Sequence, residues 1–90
     1  MFLVRLHVAT TADLPPGHGD GQALQDLLWA HAAPWHRLEH ITVRRSFDGF
    51  AVVLFIAAPT HDRAVALATG LIVDAGNSVL LKRYRISGVG

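Results

Sequence analysis

Apolar and polar side chains alternate from Phe2 to Ala9, with Val4, Leu6 and Val8 on one side and Leu3, Arg5 and His7 on the other. A period of two marks a half-buried strand. Residues Thr10 to Gly21 break the pattern with Pro15-Pro16 and three glycines, which predicts one long loop placed to cover a site. From Asp20, read as a helix cap, Leu24, Leu27, Leu28 and His31 recur at helical spacing until about Ala33, and Pro34 ends the run. A second alternating stretch, from about Glu39 to Ala58, is divided by Asp48-Gly49, a pair suited to a type I′ hairpin turn. Thr60 then caps a second helix whose buried stripe is Ala64, Leu67, Ala68, Leu71, Ile72 and Ala75, with Asp62 in the first turn. Gly76 suits the left-handed residue that ends such a helix. A last strand is expected from about Ser78 to Ser87.

The resulting order, βαββαβ with right-handed crossovers, predicts one ferredoxin-like α+β domain over residues 1–90. Its four antiparallel strands would follow the order 4-1-3-2 with both helices on one face. If Phe47 pairs with Phe50, then Ile41, Val43, Arg45 and Phe47 join Phe50, Val52, Leu54 and Ile56 beneath the helices. His40, Thr42, Arg44 and Ser46 join Ala51, Val53 and Phe55 on the open face. A last strand pointing Leu80, Tyr84 and Ile86 inward adds Val79, Leu81, Arg83 and Arg85 to that open face and puts Lys82 on the core side of an edge strand. Leu3, Val53, Phe55 and Leu81 then form an apolar centre surrounded by cations and histidines. Such a patch on a monomer marks a contact surface.

Composition sharpens this picture by exclusion. Ninety residues with 51% hydrophobic content support one core and no second domain. A net charge of +1 carries no general attraction to nucleic acid or anionic membranes. The absence of cysteine removes disulfides, thiolate nucleophiles and thiolate-bound metals. Arg5 and His7 interrupt the apolar N-terminal run, so neither a signal peptide nor a membrane span is expected there, and the expected compartment is the cytoplasm.

Chemistry concentrates on the open face. His7 and His40 are the candidate proton carriers, because an imidazole titrates near neutrality. Arg5, Arg44 and Arg83 suit an anionic substrate or an enolate. Together with Thr42, Phe55 and Arg85 they are the expected ligand-binding residues, in a site that needs no cofactor. His36 and His40 are four apart with His31 nearby, but Pro34 and the strand near Glu39 argue against the helix that would make this a metal site. His31, within the helical stripe, reads as a core histidine. Trp35 reads as a plug at the end of the core. Trp29, roughly 140° from Leu24 around the helix, reads as packing under the Pro15-Pro16 loop.

The run from Asp48 to Phe55 resembles the aromatic third strand of RNA-recognition domains. However, Asp48 stands where a cation meets phosphate, Val52 replaces a stacking aromatic, and the register sends Phe50 inward. These departures disfavour nucleic acid as a partner. The run Phe2 to Val8, followed by Ala12-Asp13-Leu14-Pro15 and later by Trp35-His36, resembles muconolactone isomerase-like proteins. That resemblance implies a ferredoxin-like chain that pairs into a dimeric α+β barrel or larger homo-oligomer, with isomerase-type proton transfer in some members. The expectation is therefore a homo-oligomer that binds a small anionic molecule in its sheet face. The opposing reading is a non-catalytic interaction protein whose sheet face simply makes the oligomer, with an RNA-binding module less favoured.

Overall fold

Alternation at the N-terminus becomes β1 (Phe2–Thr10), in which Val4, Leu6 and Val8 are buried and Leu3 and Arg5 are exposed. The computed structural model describes residues 1–10, 19–76, 82 and 84–90. After β1 come α1 (Asp20–His31), a 3-10 turn (Pro34–His36), β2 (Leu38–Ser46), β3 (Gly49–Ile56), α2 (His61–Ala75) and β4 (Tyr84–Ser87). The fold is α+β, with a four-stranded antiparallel sheet in the order β2-β3-β1-β4 and two helices. Read from the β4 edge, that order is 4-1-3-2.

Leu24 and Leu28 of α1 share one core with Ala64, Ala68, Leu71 and Ala75 of α2, and both sets pack on Val4, Val8, Ile41, Val52, Leu54 and Ile56 of the sheet. The helices therefore cover one sheet face, and no other described element covers the opposite one. Buried alanines at three α2 positions, 64, 68 and 75, let that helix lie close to the strands, where the larger residues opposite fill the layer. Thr60 caps α2 as expected, its hydroxyl accepting the Arg63 N–H at 3.1 Å. Among the described residues no helix is long and apolar enough to cross a membrane.

The hairpin differs from expectation in its turn. Ser46 pairs with Gly49 and Arg45 with Phe50, so the two turn residues are Phe47 and Asp48. Neither has positive φ, which excludes the type I′ turn, and Gly49 is not left-handed either. Its glycine answers a different demand. A Cβ at Gly49 would stand 1.8 Å from the Val8 carbonyl oxygen and 2.9 Å from Ala9 Cα, because β1 runs hard against it. Phe47, expected in the core, is instead fully exposed at the turn. Arg45 pairs with Phe50 rather than Val52, a shift of two residues that keeps the residues still paired, though not Phe47, on their expected faces.

Other local expectations also change. Gly19, at φ 84, occupies the cap position of α1, so Asp20 is its first helical residue; its carboxylate accepts the Tyr84 hydroxyl instead of capping. Gly76 is right-handed, at φ −66. Lys82 is helical and exposed rather than part of a strand, and β4 begins only at Tyr84. Beyond β4, Gly88 at φ 65 introduces an extra residue, after which Gly90 resumes pairing with Arg5 through two backbone hydrogen bonds of 2.8 and 2.9 Å. Of the expected Thr10–Gly21 loop, Thr10 ends β1 and Asp20 and Gly21 begin α1, while residues 11–18, with the proline pair expected over Trp29, lie outside the described residues, as do Val79, Leu80, Leu81 and Arg83.

The buried histidine is His36, 3% exposed, and not His31, which faces solvent at the end of α1. His36 Nδ1 accepts the Ala33 N–H at 2.9 Å, which leaves Nε2 to carry the proton and donate to Asp74 Oδ2 at 3.1 Å. Both ring nitrogens are satisfied, so this imidazole ties the 3-10 turn to the last turns of α2. Its neighbour Trp35, expected as a core plug, is 69% exposed. Arg37 then turns left-handed, at φ 59, with its N–H on Pro34 O and its carbonyl accepting the Ala57 N–H at 2.9 Å.

Two stability measurements follow from these contacts. Gly49→Ala should cost at least about 2 kcal/mol in chemical denaturation, since backbone and not a flexible side chain must move; an unchanged midpoint would show that β1 does not approach so closely. His36→Ala should cost about 2–4 kcal/mol through a cavity and an orphaned N–H, whereas His31→Ala should stay within about 0.5 kcal/mol. Equal losses at the two positions would contradict the burial assigned to His36.

Candidate binding site on the open sheet face

Strand pairing sorts the open face into rows, because directly opposed residues on neighbouring strands stand side by side. The first row is His40, Phe55 and Leu3; the second is Thr42, Val53 and Arg5; the third is Arg44, Ala51, His7 and Ser87. Arg85 lies one row further, opposite Ala9. Leu3 is 42% exposed, Val53 and Phe55 are half-buried, and Arg5, Arg44 and Arg85 are exposed. An apolar centre with arginines around it is therefore present. Its expected members Val79, Leu81 and Arg83 fall outside the described residues.

The two candidate proton carriers are not neighbours. His7 and His40 are two strands and about four residues apart, roughly 16 Å at the spacing of a β-sheet. His40 instead packs on Phe55, with ring centroids 5.3 Å apart and tilted by 56°. Arg5, His7 and Arg44 do gather, around the small side chain of Ala51 and beside Val53. Thr42 extends the Arg5 row on its far side.

His7 has a partner that the sequence did not disclose. Asp48 Oδ1 lies 2.8 Å from His7 Nε2, and both side chains are substantially exposed. An exposed pair of this kind adds little to stability, about 0–1 kcal/mol. Its consequence is orientation: a carboxylate that accepts the Nε2 proton leaves the lone pair on Nδ1, which has no partner among the described residues. The pairing arises because Thr10 N–H donates to the Asp48 carbonyl at 2.8 Å, which holds the hairpin turn against the end of β1. With the turn assigned to 48–49, nothing in the sequence directs that carboxylate toward His7.

A sheet face alone cannot enclose a ligand. Two depressions on the single chain, of about 760 and 330 Å³, are lined by other residues. Phe50 is buried beneath the helices at 3% exposure, so the aromatic that would matter most for an RNA-recognition surface is withdrawn from the open face.

At a pH where the ring is neutral, nitrogen-15 shifts of His7 should report protonation of Nε2, and Asp48→Ala should move the ring toward a mixture of tautomers. Identical shifts in both proteins would remove Asp48 as the orienting group.

No protein-family model, no curated protein and no solved structure matches the chain.

Proposed function

We propose that this chain is a ferredoxin-like, cytoplasmic protein that works as a homodimer or larger assembly through its open sheet face and binds a small anionic molecule between the stacked sheets. The observation that carries this reading is the uncovered face itself: Leu3, Val53 and Phe55 lie exposed or half-exposed at its centre, while Arg5, Arg44 and Arg85 stand around them. Stacking two such faces removes the apolar centre from water at about 25 cal/mol per Å². It also confines guanidinium groups where charge–charge interactions strengthen, and a carboxylate ligand would meet them as a bidentate partner.

The resemblance to muconolactone isomerase-like proteins points to proton transfer as the reaction. His7, oriented by Asp48, is the better placed carrier: its Nδ1 lone pair takes a proton from a carbon next to a carbonyl and returns it to a neighbouring atom. Arg5 and Arg44 would stabilise the negative charge that develops on the oxygen in between. His40, set against Phe55, serves as part of an aromatic wall. Such a reaction uses no cofactor.

Light scattering should give a mass of at least two chains for the wild type, and Leu3→Glu with Phe55→Glu should reduce it to one. A wild-type monomer at tens of micromolar would end this reading of the open face. A dimer that survives both substitutions would place the contact elsewhere.

A further inference from the structure

At the end of the sheet remote from the hairpin turn lies a groove of about 760 Å³, framed by Met1, Trp35, Arg37, Pro59, Arg63 and Leu67. It shares no residue with the open-face site. Its volume falls within the range of small-molecule pockets. Ala57 and Ala58 also line it. Its wall combines an exposed indole with two guanidinium groups and, among the described residues, contains no acidic one. Neither Arg37 nor Arg63 has a carboxylate partner among the described residues.

The groove is also built on a stiff support. Buried His36, with both ring nitrogens bonded, backs Trp35 at a ring-centroid distance of 5.7 Å and an angle of 46°. The indole is thus held against a fixed partner while most of its surface faces solvent. Arg37 occupies a left-handed backbone position that favours glycine or asparagine. The surrounding hydrogen bonds to Pro34 and Ala57 enforce that conformation and fix where the arginine leaves the chain. Strain held in this way, beside a pocket, is typical of positions that present a side chain to a ligand.

We infer that this groove is a second ligand site, for a small molecule that joins a flat apolar ring to a carboxylate or phosphate. The ring would lie against Trp35 and the apolar wall of Leu67 and Pro59. The anion would sit between Arg37 and Arg63, whose guanidinium N–H groups can donate forked hydrogen bonds to it.

The test uses 2-naphthoate as the probe, followed through the indole N–H resonance of Trp35, which Trp35→Phe identifies apart from that of Trp29. The expected result is a saturable shift at Trp35 with a dissociation constant of about 1 mM or tighter. The neutral 2-naphthamide should bind at least tenfold more weakly. Arg63→Gln should also weaken naphthoate at least tenfold. Arg37→Gly should do the same while leaving the unfolding temperature unchanged or higher, since glycine relieves the left-handed backbone, so loss of binding there is not loss of fold. The inference is overturned if the Trp35 resonance stays fixed while naphthoate binds at the open face, if the amide binds as well as the acid, or if both arginine variants bind as the wild type does.

Discussion

The position of the open face depends on one backbone approach: β1 passes so near Gly49 that even a methyl group there would collide with the Val8 carbonyl. That contact places Ala9 opposite Gly49, and strand pairing then carries the register along the sheet until Leu3 faces Phe55 and Arg5 faces Val53. The same approach brings Asp48 within reach of two groups of β1, its carbonyl taking the Thr10 N–H and its carboxylate meeting His7. One small residue therefore sets both the composition of the open face and the pairing of His7 with Asp48.

Face assignment was legible in the sequence because it depends only on parity. The hairpin pairs two residues away from the register that Asp48-Gly49 predicts, yet a shift of two returns the residues that stay paired to the same side, so Ile41, Val52 and Leu54 are buried as expected. The turn was not legible for a reason that can be named. Asp-Gly is read as a request for positive φ, whereas Gly49 is needed for room beside a strand more than 40 residues earlier in the chain. Long-range crowding leaves no local trace. The helix starting at His61 was legible in cap and stripe alike, because Thr60 and the alanine spacing act within a few residues.

Histidine and tryptophan were the least legible residues. His31 falls on the apolar stripe of α1 by periodicity, but it stands in the last turn, where the helix has already run past the core. His36 lies on no periodic element. It is buried because the 3-10 turn and the left-handed Arg37 reverse the chain over the end of α2, which supplies Asp74. The same reversal turns Trp35 outward. A turn of three residues has too short a pattern to reveal which of its side chains points inward. Its outcome is settled by partners drawn from a helix almost 40 residues later.

For the proposed assembly, charge and packing act against each other. Stacked open faces would bury the apolar centre while bringing Arg5, Arg44 and Arg85 of one copy toward the same residues of the other. Three strands of eight or nine residues and a fourth of four, about 4.8 Å apart, present a footprint of roughly 500 Å² at most, modest beside the roughly 800 Å² per partner of a standard interface. Repulsion among arginines is thus not a minor correction to such a contact. An anion held between the sheets would neutralise it, so ligand and second subunit would each raise the affinity for the other by the same factor. His7 would be affected less, because Asp48 already supplies its counter-charge within one copy. Assembly and ligand capture would then be one coupled equilibrium, driven by the apolar rows and tuned by the arginines at their border.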